Sequence, residues 1–277
     1  MTGWRDLLDH YPSRRVETAA GMVSVREAGS GPVIVLLHGI GSGSGSWVYQ
    51  LQRLSSRFRV IAWDAPGYGE SDPLPVDAAS ADSYANSLLA TLDAANVSSA
   101  LVVGHSLGAL IAARFVIRFP DRVWGLLLAD PAIGHARFPE PEKRAKREAR
   151  LIPFNALGPE RFAAERAPNL LAHDTTPEKI ALVRWNMARL TLKGLGDAAQ
   201  LLSEGDLLGD VAAISKPARV VCGEKDQVTP PAECRKVAAA FPEMSTYHEI
   251  SASGHASYID QPEAFTHHVL QFAKECA

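Results

Sequence analysis

The segment Gly104-His105-Ser106-Leu107-Gly108 is the one G-x-S-x-G pattern of the chain and its first candidate for chemistry. It follows the apolar run Leu101–Val103 and opens Leu107–Phe119, which has helical periodicity. A sharp strand-to-helix turn lifts a serine hydroxyl clear of the backbone, and flanking glycines leave room for that turn. The pattern therefore predicts a nucleophilic Ser106, with a serine that merely begins a helix as the alternative.

Acyl transfer by a serine also needs donors for the negative charge that forms on the attacked carbonyl oxygen. The run Val33–Leu37 is followed by His38-Gly39-Ile40-Gly41, whose glycines let backbone amides turn toward the space above a sheet. We expect the amides of Ile40 and Leu107 to form this oxyanion hole. A flexible loop or a phosphate cradle is the alternative for Gly39–Ser46, although no Walker or dinucleotide-binding fingerprint is present.

His255 is the predicted general base, because it lies in the small-residue loop Ser251–Ser257 directly after the last predicted strand. An ordinary loop histidine is the alternative. Asp226 is the predicted carboxylate that orients the imidazole, since it follows another strand and precedes His255 by 29 residues. Asp130, after the run Gly125–Ala129, is the rival for that role. Ser106, His255 and Asp226 together are predicted to form a Ser-His-Asp catalytic triad.

Short apolar, β-branched runs alternate with helical periodicity along the chain, which is typical of a mostly parallel sheet flanked by helices on both faces. We therefore predict an α/β fold with eight strands. The first two are expected to form a hairpin around Ala20-Gly21. The predicted strands are Val16–Ala20, Val23–Glu27, Val33–Leu37, Phe58–Trp63, Ala100–Val103, Val123–Leu128, Ala218–Cys222 and Thr246–Ile250.

Between residues 131 and 217 the strand signal disappears, and helical segments broken by Pro and Gly replace it. We expect residues 1–130 and 218–277 to form the core and residues 131–217 to form a helical insertion. The charge run Glu142–Arg150 in this insertion is expected to be a solvated helix face, with an anion site as the alternative.

Composition excludes several classes of function. The 277 residues carry 28 basic and 31 acidic side chains, a net charge of −3 without the basic excess typical of nucleic-acid or membrane-surface binding. The scattered cysteines, Cys222, Cys234 and Cys276, suit a reducing compartment better than a disulfide framework or zinc cluster. With no signal-like start and no membrane-length apolar run, we expect a cytoplasmic monomer or homodimer that acts on a small molecule without metal or organic cofactor.

The chain resembles the α/β-hydrolase superfamily over nearly its whole length. In that superfamily, as here, a glycine loop comes first along the chain and is followed by the serine, the aspartate and the histidine, which are Ser106, Asp226 and His255 in this sequence. The resemblance also implies that the helical insertion is a cap over the site. Three further segments carry the likeness: DAPGYGESD at Asp64–Asp72, GEKDQVTPP at Gly223–Pro231 and GHASYIDQPEAF at Gly254–Phe265.

Within the superfamily the chain looks most like 3-oxoadipate enol-lactonases, through VTPP after Asp226, the Gly194 region ahead of Asp206 and the IDQPEAF tail. The expected function is therefore hydrolysis of a small ester or lactone through an acyl-enzyme. Carbon–carbon bond hydrolases of aromatic ring-cleavage products are the alternative, although a bulky Trp usually stands there in place of Ala256. Perhydrolase or haloperoxidase-like activity uses the same triad, and a non-catalytic small-molecule receptor is a further alternative.

We expect the residues that contact substrate to lie next to the glycine loop and in the helical insertion. Trp47, Trp185 and Met187 are the expected lining of an apolar pocket, with plain core packing as the alternative. A substrate that carries a carboxylate needs an arginine, and Arg184 or Arg189 in the insertion is the candidate.

Overall fold

The computed structural model describes residues 3–75, 79–243 and 245–276. Each of the eight predicted runs overlaps a strand, and the predicted α/β fold class is confirmed. The strands are β1 (Arg14–Thr18), β2 (Gly21–Ala28), β3 (Val33–Leu37), β4 (Arg59–Trp63), β5 (Ala100–His105), β6 (Val123–Ala129), β7 (Ala218–Gly223) and β8 (Thr246–Ile250).

These strands form one sheet in the order β1-β2-β4-β3-β5-β6-β7-β8. Strand β2 pairs antiparallel with both β1 and β4, and the β1–β2 hairpin turns between Thr18 and Gly21. The pairs from β4 to β8 are all parallel. Parallel strands end at the same edge, so the loops after β3, β5, β6, β7 and β8 lie side by side.

Helices flank the sheet and form the segment between β6 and β7. They are α1 (Trp4–His10), α2 (Val48–Leu54), α3 (Ala81–Ala94), α4 (Leu107–Arg118), α5 (Glu140–Arg166), α6 (Pro177–Met187), α7 (Leu192–Glu204), α8 (Leu207–Val211), α9 (Pro231–Ala239), α10 (Ser257–Asp260) and α11 (Pro262–Glu275). Among the described residues, no helix is both long and apolar enough to cross a membrane.

The core lies around β3, β5 and α4. Every residue of β5 is buried, as expected for a central parallel strand covered on both faces. Helix α4 is apolar on nearly all sides and packs against β3, β5 and β6, and it ends just before Phe119-Pro120. This rigid centre fixes the strand-to-helix turn at Ser106.

Residues 131–217, which we call the helical segment, contain helices and no strand. Helix α5 is interrupted at Gly158, whose φ of 72° lies outside the helical region, and Pro159 restarts the helix after it. Helix α5 packs on α6 and α7, and α7 also contacts α4. The helical segment is thus attached to the carboxyl edge of the sheet beside Ser106.

Candidate active site

Ser106 occupies a strained turn between β5 and α4. Its φ of 53° and ψ of −115° are rare for a residue with a side chain, and such a conformation costs of order 1–3 kcal/mol. The backbone holds it there, because Ser106 N–H donates to the Ala129 carbonyl at 2.9 Å and its carbonyl accepts from Ala109 and Ala132. Strain maintained by surrounding structure is typical of functional sites.

The glycines on both sides of Ser106 are required by close contact. A Cβ on Gly104 would stand 2.5 Å from the Gly108 carbonyl oxygen, and a Cβ on Gly108 would stand 2.5 Å from the Leu37 carbonyl oxygen. No real Cβ approaches that closely, so Gly104 lets the end of β5 meet the start of α4, and Gly108 lets α4 pack against the end of β3. This is the geometry that the G-x-S-x-G pattern predicts.

The three predicted triad residues lie in one line of hydrogen bonds. Ser106 Oγ is 2.9 Å from His255 Nε2, and His255 Nδ1 is 2.9 Å from Asp226 Oδ2. All three side chains are buried, which removes competing water and strengthens their mutual interactions. An imidazole placed between a hydroxyl and a carboxylate in this way can accept the hydroxyl proton.

The carboxylate of Asp226 is held ionised by its partners. Its Oδ1 accepts the N–H groups of Val228 at 2.7 Å and Thr229 at 3.0 Å, and its Oδ2 accepts the Thr229 hydroxyl at 2.7 Å. Burial alone would raise the pKa of Asp226, but the adjacent His255 and the Thr229 hydrogen bonds lower it below its ordinary value. A charged acceptor facing Nδ1 fixes the tautomer in which Nε2 is free to accept a proton.

Two side chains that the sequence did not single out support His255. His105 Nε2 lies 2.8 Å from the carbonyl oxygen of His255, and Thr229 Oγ1 lies 3.1 Å from its Nδ1. Burial, reinforced by the His255 imidazole, lowers the pKa of His105 to about 3. His105 therefore stays neutral and donates its Nε2 proton to the loop that carries the base.

The rival carboxylate, Asp130, faces elsewhere. It accepts Gly223 N–H at 2.7 Å and the Ser257 hydroxyl at 2.5 Å, and its nearest imidazole is His105 at 4.0 Å. Burial and the nearby Asp226 raise the pKa of Asp130 well above its ordinary value. The geometry therefore places Asp226, and not Asp130, on His255.

Asp130, Cys222 and Asp226 bring their ligand atoms within 4.8 Å of one another, the one such metal-compatible group among the described residues. Both carboxylates already accept protein donors, and Asp226 is hydrogen-bonded to His255. An ion bound here would break these hydrogen bonds, so the arrangement fits a proton-handling site better than a metal centre.

The glycine loop after β3 lies directly over Ser106. A Cβ on Gly39 would be 3.0 Å from Ser106 Cβ and 2.9 Å from His105 Nδ1. Within the described residues, neither Ile40 N–H nor Leu107 N–H has a hydrogen-bond acceptor. Two unused amides beside a candidate nucleophile can receive an oxyanion.

Buried side chains hold this loop in place. Asp64 accepts Ser44 N–H at 2.7 Å and the Ser44 hydroxyl at 3.0 Å, and it also accepts the Ser24 hydroxyl. His38 Nε2 accepts Ala65 N–H at 3.0 Å. The DAPGYG turn therefore supports the loop that carries Ile40.

A second set of bonds joins the helical segment to the loop of the base. Asp260 accepts both Ala172 N–H at 2.7 Å and Gly254 N–H at 2.8 Å through one oxygen. Ala256 N–H donates to the Leu170 carbonyl at 2.7 Å. The residues on both sides of His255 are thus tied to the helical segment, Ala256 directly and Gly254 through Asp260.

A cavity of about 290 Å³ opens beside Ser106 and His255. The sheet side contributes Gly39, Ile40 and Tyr258, and the helical segment supplies an apolar wall. That wall is formed by Ala132, Ile133, Phe138, Leu170, Val183 and Leu202. The volume is at the small end for ligand sites, so the cavity suits a compact substrate.

The residues expected to contact substrate are not among those that line this cavity. Trp47 is fully buried and stacks on Tyr258 with ring centroids 4.0 Å apart. Trp185 packs beside Trp4, with Arg189 over its ring. Met187 packs beside Gly41 of the glycine loop, and Arg184 is half exposed near Glu160. We therefore propose no substrate contact for Trp47, Arg184, Trp185, Met187 or Arg189.

The charge run on α5 is solvated only in part. Arg144 and Glu148 are exposed as expected, but Lys146 and Arg150 are half-buried and line the cavity. The expectation of a purely solvated face is wrong for four residues of the run. Lys143 and Arg147 are partly covered beside Glu204, and Lys146 and Arg150 lie one helical turn apart on the side of α5 that faces the cavity.

The chain belongs to the α/β-hydrolase-fold family, whose sequence profile matches residues 32–262. It is 27% identical over 240 residues to a 3-oxoadipate enol-lactonase of Acinetobacter baylyi, covering 86% of this chain and 87% of that one. It is 29% identical over 250 residues to the 2-(acetamidomethylene)succinate hydrolase of Mesorhizobium japonicum, covering 85% and 86%. A thermophilic esterase from Thermogutta terrifontis superimposes with a TM-score of 0.85 at 26% identity, covering 96% and 99%. The resemblance to enol-lactonases is thereby confirmed.

Proposed function

We propose that this protein hydrolyses a small ester or lactone through an acyl-enzyme formed on Ser106. The observation that carries the proposal is the unbroken line of hydrogen bonds from Ser106 through His255 to Asp226, at 2.9 Å each, on the wall of a cavity. Relatives whose names specify a lactonase and an esterase support cleavage of an ester or lactone bond.

In the first step His255 Nε2 takes the proton of Ser106 Oγ as the oxygen attacks the carbonyl carbon. The amides of Ile40 and Leu107 receive the oxyanion, and Asp226 stabilises the imidazolium that forms. His255 then gives its proton to the departing alkoxide or enolate oxygen. Water repeats the sequence on the acyl-enzyme and releases the acid.

We further propose that residues 1–130 and 218–277 form the catalytic core and that residues 131–217 act as a cap. The apolar wall that the helical segment adds to the cavity supports this division. A cap in this place limits substrate size and excludes bulk water during attack.

Ser106→Ala tests the assignment of the nucleophile. The variant should lose about three or more orders of magnitude in kcat for p-nitrophenyl acetate, and it should not be labelled by a fluorophosphonate, because both reactions use the Ser106 oxygen. Thermal unfolding checks that the fold is retained. A folded variant that keeps more than a tenth of the wild-type rate would contradict the proposal, and unlabelled, inactive wild-type protein would favour a receptor.

Carbon–carbon bond hydrolysis of a vinylogous 1,5-diketone is the competing reaction on the same triad. That reaction requires a dienol to be ketonised and a carbanion-like leaving group to be held, whereas Ala256 beside the base is small and buried. We expect kcat/KM for a lactone or small ester to exceed that for the diketone by at least about tenfold. A preference for the diketone would overturn the ester assignment and leave the triad untouched.

A further inference from the structure

Asp260 is a buried carboxylate that the proposed reaction does not use. It is 2% exposed and lies at the end of α10, five residues after His255. Its Oδ2 accepts Ala172 N–H at 2.7 Å and Gly254 N–H at 2.8 Å, and its Oδ1 accepts the Thr175 hydroxyl at 2.7 Å. Taking a carboxylate out of water is costly, so these hydrogen bonds must hold their partners firmly in place.

The partners of Asp260 come from two separate parts of the chain. Gly254 precedes His255 in the loop after β8, whereas Ala172 belongs to the helical segment. Lys179 of α6, also in the helical segment, adds a bond from its Nζ to the Asp260 carbonyl at 2.6 Å. One oxygen, Oδ2, therefore fixes the distance between the helical segment and the residue next to the base.

The loop that carries His255 depends on such outside support. Between β8 and α10 it consists of small residues apart from the base itself, and its Ala252 has a φ of 54°, a left-handed conformation that a residue with a side chain rarely adopts. A second cavity of about 700 Å³ is lined by Gly254 and Ala172, so fewer atoms hold them by packing on that side. Without Asp260 the buried N–H of Gly254 would lack its acceptor, and the strained loop would relax.

The alignment of the base tolerates little movement. The two imidazole nitrogens of His255 bond at 2.9 Å each, to Ser106 on one side and to Asp226 on the other. These two partners follow β5 and β7, so a shift of the loop after β8 disturbs both bonds at once. A misplacement of about 1 Å in a catalytic group can lower the rate about a hundredfold.

We propose that Asp260 is a positioning residue that aligns His255 with Ser106 by fixing Gly254 against the helical segment. The inference rests on the proposed function and adds to it a residue outside the triad. Within the part of the chain that the structure describes, Asp260 is hydrogen-bonded to neither Ser106 nor the imidazole of His255. It acts through the backbone of Gly254, and the helical segment thereby helps to align the base as well as to line the cavity.

Asp260→Ala tests this role, because it removes all three side-chain bonds. Both acylation and deacylation use His255 as the base, so kcat for p-nitrophenyl acetate should fall about tenfold to a hundredfold whichever step is slower. KM should change less than about threefold. Asp260→Ser is the second variant if Asp260→Ala fails to fold. Its hydroxyl is too short to accept both N–H groups, so kcat should fall in the same direction.

Asp260→Asn is the conservative variant. Its oxygen can accept the N–H groups of Ala172 and Gly254, and its NH2 group then faces Thr175 Oγ1, which can accept a hydrogen bond instead of donating one. Its kcat should stay within about threefold of the wild-type value. Thr175→Val is the matched control, because it removes the bond to Oδ1 and leaves both bonds to Oδ2, and it should also keep kcat within about threefold.

Nitrogen NMR of the labelled imidazole separates positioning from general stability. In the wild type the proton should sit on Nδ1 of His255, because Nδ1 faces Asp226. Asp260→Ala should give a mixture of the two tautomers, whereas Asp260→Asn and Thr175→Val should keep the wild-type spectrum. A variant that was only less stable would keep that spectrum while folded, and urea unfolding gives the folded fraction.

A folded Asp260→Ala variant that keeps kcat within about threefold, or keeps the wild-type spectrum of His255, would overturn the positioning role and leave the proposed hydrolase intact. A loss in Asp260→Asn or Thr175→Val as large as that in Asp260→Ala would also contradict it, because the two bonds to Oδ2 are available in both variants. If the wild type hydrolyses no ester and is not labelled by a fluorophosphonate, the proposed function fails instead, and the spectra alone decide on Asp260.

Discussion

The exchange Asp226→Asn probes how the carboxylate sets the tautomer of His255. The two oxygens of Asp226 have different partners: Oδ1 faces the backbone N–H groups of Val228 and Thr229, and Oδ2 faces His255 Nδ1 and the Thr229 hydroxyl. That hydroxyl has a second acceptor in the Asp130 carbonyl at 3.0 Å, so it can turn away from Oδ2. An asparagine has one oxygen and one NH2 to offer to these two sides. Its orientation therefore decides the outcome.

If the NH2 group turned toward the backbone, it would oppose two N–H donors that now bond at 2.7 and 3.0 Å. Leaving buried donors unpaired costs about 1–3 kcal/mol each. The NH2 group will therefore face His255, and Nδ1 must lose its proton to accept from it. The proton then sits on Nε2, the atom whose lone pair must accept the proton of Ser106.

We expect kcat of Asp226→Asn to fall by about 10³ to 10⁴, with a much smaller change in KM, because the wrong tautomer cannot accept the Ser106 proton. Initial rates with p-nitrophenyl acetate over a range of concentrations give both constants. Nitrogen NMR of the labelled imidazole reports whether the proton has moved to Nε2.

Asp130→Asn is the matched control. Asp130 is buried and bonds to Gly223 N–H and the Ser257 hydroxyl rather than to His255, so an asparagine there leaves the partner of His255 Nδ1 unchanged. Its kcat should change by less than about tenfold. The reasoning is refuted if Asp226→Asn keeps more than a tenth of the activity, if Nδ1 keeps its proton, or if Asp130→Asn is the more damaging exchange.

Two further predictions concern packing and pH. Gly39→Ala should lower kcat more than about tenfold, because its Cβ would meet Ser106 Cβ at 3.0 Å. Gly196→Ala is the control in the interior of α7, where a Cβ meets nothing within 4 Å, and it should raise the free energy of unfolding by about 0.5–1 kcal/mol. The pKa of His105, lowered to about 3 in the folded state, lies below its unfolded value of about 6.5, so its contribution to stability is full above pH 6.5 and is lost as pH falls toward 3.

For Gly39→Ala and Gly196→Ala, steady-state assays give kcat and urea unfolding gives the free energy of unfolding. Equal values of kcat in the two variants would contradict the close contact between Gly39 and Ser106. For the histidine, the free energy of unfolding of the wild type should fall more steeply than that of His105→Gln between pH 6 and pH 4. The excess is at most about 1.4 kcal/mol per pH unit. Parallel curves for the two proteins would show that His105 is not held neutral.

The grouping of Ser106, Asp226 and His255 could be predicted because each of these residues follows a strand. Ser106 comes directly after β5, and the loops of Asp226 and His255 follow β7 and β8, so the parallel topology alone brings them to one edge. Contacts between distant parts of the chain could not be predicted in this way. Trp47 follows the glycine loop in sequence, but its ring stacks on Tyr258, which no local pattern indicates.

The two cavity cations were missed for a related reason. Periodicity places Lys146 and Arg150 on one side of α5 and Arg144 on another, but it does not say which side faces the site. That choice depends on how α5 packs on α6 and α7. Charge composition alone therefore favours a solvated face, and only the tertiary packing distinguishes the inward cations from the outward ones.

The bridge through Asp260 divides the helical segment into a part that is bonded to the loop of His255 and a part that is not. Residues near Leu170 and Ala172 are bonded to the loop of His255, so any change that shifts them also shifts the base. Among the described residues, α5 makes no hydrogen bond to that loop. Mutations of the α5 residues that line the cavity can therefore reshape it without breaking a hydrogen bond to the loop of His255, and those positions are the place to begin when the cavity is redesigned.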